Sequence, residues 1–122
     1  MSPAARVLIV DRSRESRDLL SALLERQGAE VLATGGAERG AHLAATEKPD
    51  LIVVDSEADS ALAGQDAAER LAAAAARNAC PIVVLGTFRR SASPFSAGQF
   101  VAKPYHYGAL IRRIEELLGG RQ

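Results

Sequence analysis

The chain has 122 residues, 48% hydrophobic and 25% charged, with fifteen basic side chains set against fifteen acidic ones. That length suits one domain, spanning 1–122, and the balanced charge provides no field to favour nucleic acid or an anionic membrane. The single Cys80 excludes an internal disulfide and any multi-cysteine metal site, while the amino-terminal apolar run is too short for a signal peptide or a bilayer span, so the cytoplasm is the expected compartment.

Short apolar or β-branched runs alternate with stretches of helical period. The first run is Val7 to Val10. Leu19, Leu20, Leu23 and Leu24 then form the apolar stripe of a helix that Ser13 or Asp11 would cap and Gly28 would end. Glu30 to Ala33 is the second strand, followed by an alanine-rich helix over about Ala37 to Thr46. Leu51 to Val54 is the third strand, followed by a second alanine-rich helix over about Gln65 to Arg77. Alanine has high helix propensity and little volume, so these two helices must pack close to the sheet. Ile82 to Leu85 and Phe100 to Ala102 are strands four and five. Between them "GTFRRSASPFSAGQ" is rich in serine and glycine and contains Pro94, which reads as loop; a helix there is expected to be one turn or absent. In the last helix Leu110, Ile111, Ile114, Leu117 and Leu118 share one face. Arg112, Arg113, Glu115 and Glu116 occupy the other, as a solvated side or a face for a homodimer.

Five strands alternating with helices, two of the strands apolar throughout, describe an α/β fold: a doubly wound parallel sheet covered on both faces. With strand order 2-1-3-4-5, right-handed crossovers bring every strand's carboxyl end to one edge, where ligands bind. Asp11, Asp55 and Lys103 each follow one of those strands. A charge at a strand end is tolerated where it meets a partner or water, so one such residue carries little information. Three at the ligand-binding edge carry more. Two neighbouring carboxylates can hold a hard divalent cation, one can act as a nucleophile toward a phosphoryl group, and a lysine can neutralise the phosphoryl oxygens.

With "VLIVD" and Arg17, "KPDLIVVD", "CPIVVL" and "FVAKPY" in that order, the chain resembles a bacterial response-regulator receiver domain over essentially its whole length. The resemblance implies a flavodoxin-like fold and a non-enzymatic signalling role. It implies Asp55 as phosphoacceptor, Asp11 as a metal-binding acid, Lys103 as the phosphoryl-contacting lysine and Phe100 as an aromatic switch. It further implies Mg²⁺ held by Asp11, Asp55 and the backbone carbonyl of Glu57, a histidine kinase or phosphotransfer protein as donor, and a downstream protein partner.

The departures are as informative. Arg12 stands where the family has a second acid, and Gly86 where it has Thr or Ser; Thr87, one residue later, is the substitute hydroxyl. The loop "SEADSALAGQD" lacks the family's proline. With Arg12 inward, Asp11 and Asp55 are neutralised by Arg12 and Lys103 before any metal arrives, so Mg²⁺ should bind weakly or not at all. Arg12 would then pair with Asp55 in the cation's stead. With Arg12 outward it would pair with Glu15 or Glu57, and the metal site would survive in a poor form.

Two functions follow: a stand-alone phosphoacceptor, or a docking module that works without phosphorylation. Enzyme readings fare worse. A haloacid-dehalogenase-type phosphatase wants a second Asp where Glu57 stands, and "DRSRES" lacks the glycines of a phosphate-cradling loop. His106, His42 and the pair Arg89 and Arg90 are expected on the surface, and Cys80 as a packed thiol. No output domain or DNA-binding motif is visible.

Overall fold

The structure, a computed structural model, describes residues 4–55, 64–87, 94–95 and 98–119. Its elements are β1 (Arg6–Val10), α1 (Arg14–Arg26), β2 (Glu30–Thr34), α2 (Ala37–Glu47), β3 (Leu51–Asp55), α3 (Gly64–Arg77), β4 (Ile82–Gly86), β5 (Gln99–Ala102) and α4 (Tyr107–Gly119). The strands form one parallel sheet in the order β2-β1-β3-β4-β5, the expected flavodoxin-like topology. Of the connection between β4 and β5, Pro94 and Phe95 form a turn, and Phe95 is buried. Most of the stretch read as lacking a full helix lies outside the described residues, as do Glu57, Arg89 and Arg90.

Alternation along the strands divides the core into two layers. Leu8, Val10, Ile52, Val54 and Val84 face α2 and α3, whereas Val7, Ile9, Leu51, Val53 and Val83 face α1 and α4. The alanine-rich helices approach closely, as their composition demands. A Cβ on Gly40 of α2 would stand 2.8 Å from a methyl of Val10, so α2 lies almost directly on β1.

Ser13 caps α1, its side chain accepting from the Ser16 N–H at 3.2 Å. Gly28 follows the helix at φ +93°, the left-handed conformation that glycine adopts most easily. The α1 stripe is narrower than expected. Leu20 and Leu24 are buried and Leu23 is half-buried, but Leu19 is 44% exposed. At 100° per residue, Leu19 trails Leu20 onto the flank of the helix. In α4, Leu110, Ile111 and Ile114 are buried, and Arg112, Arg113, Glu115 and Glu116 are exposed. His42 and His106 are exposed and Cys80 is buried in the α2–α3 layer.

Candidate functional site

Because β1 and β3 are neighbours paired through Val10 and Val54, Asp11 and Asp55 fall side by side at the sheet's carboxyl edge. Both are buried, the only polar residues so classed among those described. Their carboxyl groups are near enough for Asp55 to act on Asp11.

Asp11 is fixed at every polar backbone group. Its N–H donates to the Thr34 carbonyl at 3.0 Å, and its own carbonyl accepts from Arg17 Nη1 at 2.7 Å. Its Oδ1 accepts from the Ser13 N–H at 2.9 Å, so Asp11 holds the residue that caps α1. Both capping candidates therefore act, Ser13 on the helix and Asp11 on Ser13. Arg17 enters the sequence only as part of a motif, and the structure gives it this mechanical task. A Cβ on Gly35 would come within 3.0 Å of the Arg17 guanidinium, so Gly35 leaves the clamp its room.

Lys103 follows β5 and is joined to Pro104 by a cis peptide bond. Its N–H donates to the Gly86 carbonyl at 2.9 Å, and Nζ donates to Asp55 Oδ2 at 2.9 Å. The ion pair bridges β3 and β5 past the end of β4, where Gly86 adds no side chain. With the side chain of Lys103 only 29% exposed and that of Asp55 11%, it is better shielded than the surface pairs of Arg6 or Arg113.

Burial raises the Asp11 pKa and the neighbouring Asp55 raises it further, while the Ser13 N–H and Lys103 pull it down. Tyr105 belongs to the same neighbourhood. Its ring meets Tyr107 edge-on at 5.4 Å, and burial, Tyr107 and Asp11 push its hydroxyl up to about 12. No local pattern connects Tyr105 with the acids, because its proximity depends on the bend at Lys103 and Pro104.

Arg12 is exposed, and Lys103 donates to Asp55 Oδ2. Thr87 is exposed just beyond β4, and Phe100 is half-buried against the α2–α3 layer. Two buried, adjacent carboxyls with a raised Asp11 pKa present hard oxygen donors in want of positive charge, so this pair fits a divalent cation such as Mg²⁺. No cluster of three or more metal-ligating side chains occurs among the described residues.

The raised pKa makes a stability prediction with a definite sign. A carboxyl whose folded pKa exceeds its unfolded one costs stability when ionised; that cost is complete above the folded pKa and vanishes below the unfolded one. Asp11→Asn keeps an oxygen for the Ser13 N–H and removes the charge. Its melting temperature at pH 7 should exceed the parent's by roughly a few degrees. The gain should shrink as pH falls through the raised Asp11 pKa and disappear below about pH 4. Thermal melts at pH 7 and pH 3.5 check this; a variant less stable than the parent at pH 7 would show that Asp11 serves the fold instead.

Residues 7–115 match the family model described as the response regulator receiver domain. Protein PilH of Pseudomonas aeruginosa is 31% identical over 121 residues, covering 95% of this chain and 99% of PilH. Among solved structures, the chemotaxis response regulator CheY4 of Vibrio cholerae superposes with a TM-score of 0.74 at 22% identity, covering 93% of this chain and 98% of that one. The receiver domain of a Pseudomonas aeruginosa sensor histidine kinase, solved with magnesium coordinated in its active-site cleft, gives 0.75 at 20% identity, covering 95% and 98%. No helix among the described residues is long and apolar enough to cross a membrane. The chain belongs to the response-regulator receiver domain family, the receiver module of two-component signalling.

Proposed function

We propose that Asp55 accepts a phosphoryl group from a histidine kinase or a phosphotransfer protein, and that a downstream protein reads the modified domain. The observation that carries this reading is the 2.9 Å bond from Lys103 Nζ to Asp55 Oδ2, beside the buried Asp11. In the step, an Asp55 oxygen attacks phosphorus, and the bond from phosphorus to the donor atom breaks with its electron pair leaving on that atom. Asp55 becomes an acyl phosphate. Lys103 stays beside it as a cation for the phosphoryl oxygens, and Thr87 is the hydroxyl that would take another of them. Asp11 and Asp55 would hold Mg²⁺, with the Glu57 carbonyl, outside the described residues, as a further donor. The ion supplies positive charge to the transferring oxygens. Phe100, half-buried on β5, is the proposed switch.

A second reading has two observations in its favour. Gly86 offers no hydroxyl at the end of β4, and Arg12 puts a cation beside the acids. In that reading the domain docks on its partner without phosphorylation. Intact-protein mass spectrometry after incubation with a small-molecule phosphodonor, with and without Mg²⁺, separates the two. One phosphoryl adduct, dependent on Mg²⁺ and absent from Asp55→Asn, is the expected result. No adduct on the parent but one on Arg12→Asp would replace it with the docking reading.

A further inference from the structure

α2 and α3 lie side by side on one face of the sheet and run the same way, because each connects parallel strands. An open groove of about 450 Å³ runs between them. Its lining falls at positions 38, 41, 42 and 45 of α2 and at 70, 73, 74 and 77 of α3. Each set has the spacing i, i+3, i+4, i+7, which puts its members on one face of its helix. Two such rows side by side are what a pair of bundled helices presents to a third. The floor is Ala41, Ala45, Ala73 and Ala74, side chains short enough for another helix to approach closely.

The rim is charged. Arg70 and Arg77 stand seven residues apart, roughly 10.5 Å along α3. Both are exposed, and neither makes an ion pair among the described residues. Glu38 is the acid of the lining, and His42 is its remaining polar group.

We propose that this groove docks one amphipathic helix of a partner protein, with large apolar residues along one stripe and two acidic residues seven positions apart that meet Arg70 and Arg77. Charge complementarity selects that occupant, since an apolar floor beside two unpaired guanidiniums favours carboxylates over ammonium groups. The proposal uses none of Asp11, Asp55 or Lys103, and so it stands whether or not Asp55 is phosphorylated.

The probe is a stapled peptide of about four helical turns, with leucines on one stripe and glutamates seven apart, beside a twin carrying lysines at the glutamate positions. Each is titrated into the ¹⁵N-labelled chain. The glutamate peptide should shift amides within 38–45 and 70–77 and bind about tenfold more tightly than its twin. The exposed double change Arg70→Glu with Arg77→Glu should reverse that order, and Ala73→Leu, which fills the floor and keeps the rim, should weaken both peptides. Thermal melts of the variants verify that they fold. Equal affinity for the two peptides, or no shifts in those segments, would overturn the proposal. So would dilution of the chain alone moving the same amides, because the occupant would then be a second copy, whose α1 carries Asp18 and Glu25 at the same spacing.

Discussion

Leu71→Ala should destabilise the protein by about 4 kcal/mol, near the upper end for a buried leucine. Leu71 is fully buried, and on the buried face of α3 its described neighbours are Ala67, Ala68, Ala74 and Ala75. Across from it α2 contributes Ala41 and Ala44, with Gly40 so placed that an added Cβ would lie 3.7 Å from Leu71 Cδ2. Alanines have no rotamers with which to fill a void, and α2 already rests on β1, so the cavity left by truncation stays open. Leu20→Ala is the internal comparison. Leu20 is as well buried, but it lies in the α1–α4 layer among Leu23, Leu24, Leu117 and Leu118, long side chains that can relax into the space. About 3 kcal/mol is expected there. For a domain stabilised by some 5–15 kcal/mol in all, the Leu71 change lowers the melting temperature by roughly 15 °C. Urea denaturation of both variants measures the contrast. A Leu71 cost at or below that of Leu20 would mean that the alanine layer collapses freely.

That contrast bears on what the sequence discloses. The covered parallel sheet was legible because Val7 to Val10 and Leu51 to Val54 are apolar on both faces, as strands buried between two helix layers must be, whereas those runs do not dictate the strand order. The close seating of α2 was legible in its alanines, although composition alone did not single out Gly40 as the point of contact with Val10. Leu19 was misread because a stripe of four leucines fits a helix face only if the face is wide. The sheet accommodates Leu20 and Leu24 fully, Leu23 by half and Leu19 hardly at all. Phe95 sat in a segment rich in serine, glycine and proline, where local chemistry signals a loop and gives no sign that one aromatic returns to the core.

At the site, the three charged residues were legible because each directly follows an apolar run, and parallel topology then brings strand ends together. The Arg17 clamp was not. A hydrogen bond from a helix side chain to the carbonyl of Asp11 depends on how the first turn of α1 sits over the loop, and a single sequence does not encode that angle in any local pattern. The coupling of Tyr105 to Asp11 escaped for the same reason. Arg12 is exposed, and Glu57, one of the acids it would meet when outward, lies outside the described residues. Exposure changes the size of its effect on the acids without removing it, since it remains the residue adjoining Asp11.

Replacing Arg12 by Asp should therefore strengthen Mg²⁺ binding by roughly ten- to a hundredfold. Two unit charges about 4 Å apart interact at about 1 kcal/mol in water and about 4 kcal/mol at an effective dielectric of 20. Arg12 is exposed, so the watery end of that range applies. A divalent ion doubles the interaction, and exchanging a positive charge for a negative one doubles the change again. Greater separation and salt screening then reduce the sum to about 1.5–3 kcal/mol. The gain should fall as ionic strength rises, because an exposed charge is screened more than the buried pair Asp11 and Asp55. Calorimetric titration of Mg²⁺ into parent, Arg12→Asp and Asp11→Asn at low and moderate salt reads all of this at once. Asp11→Asn should bind least, having lost a carboxylate from the site. An Arg12→Asp affinity equal to the parent's would show that the Arg12 charge lies beyond effective reach of the acids, leaving Gly86 as the departure from the family pattern that bears on the Asp55 site.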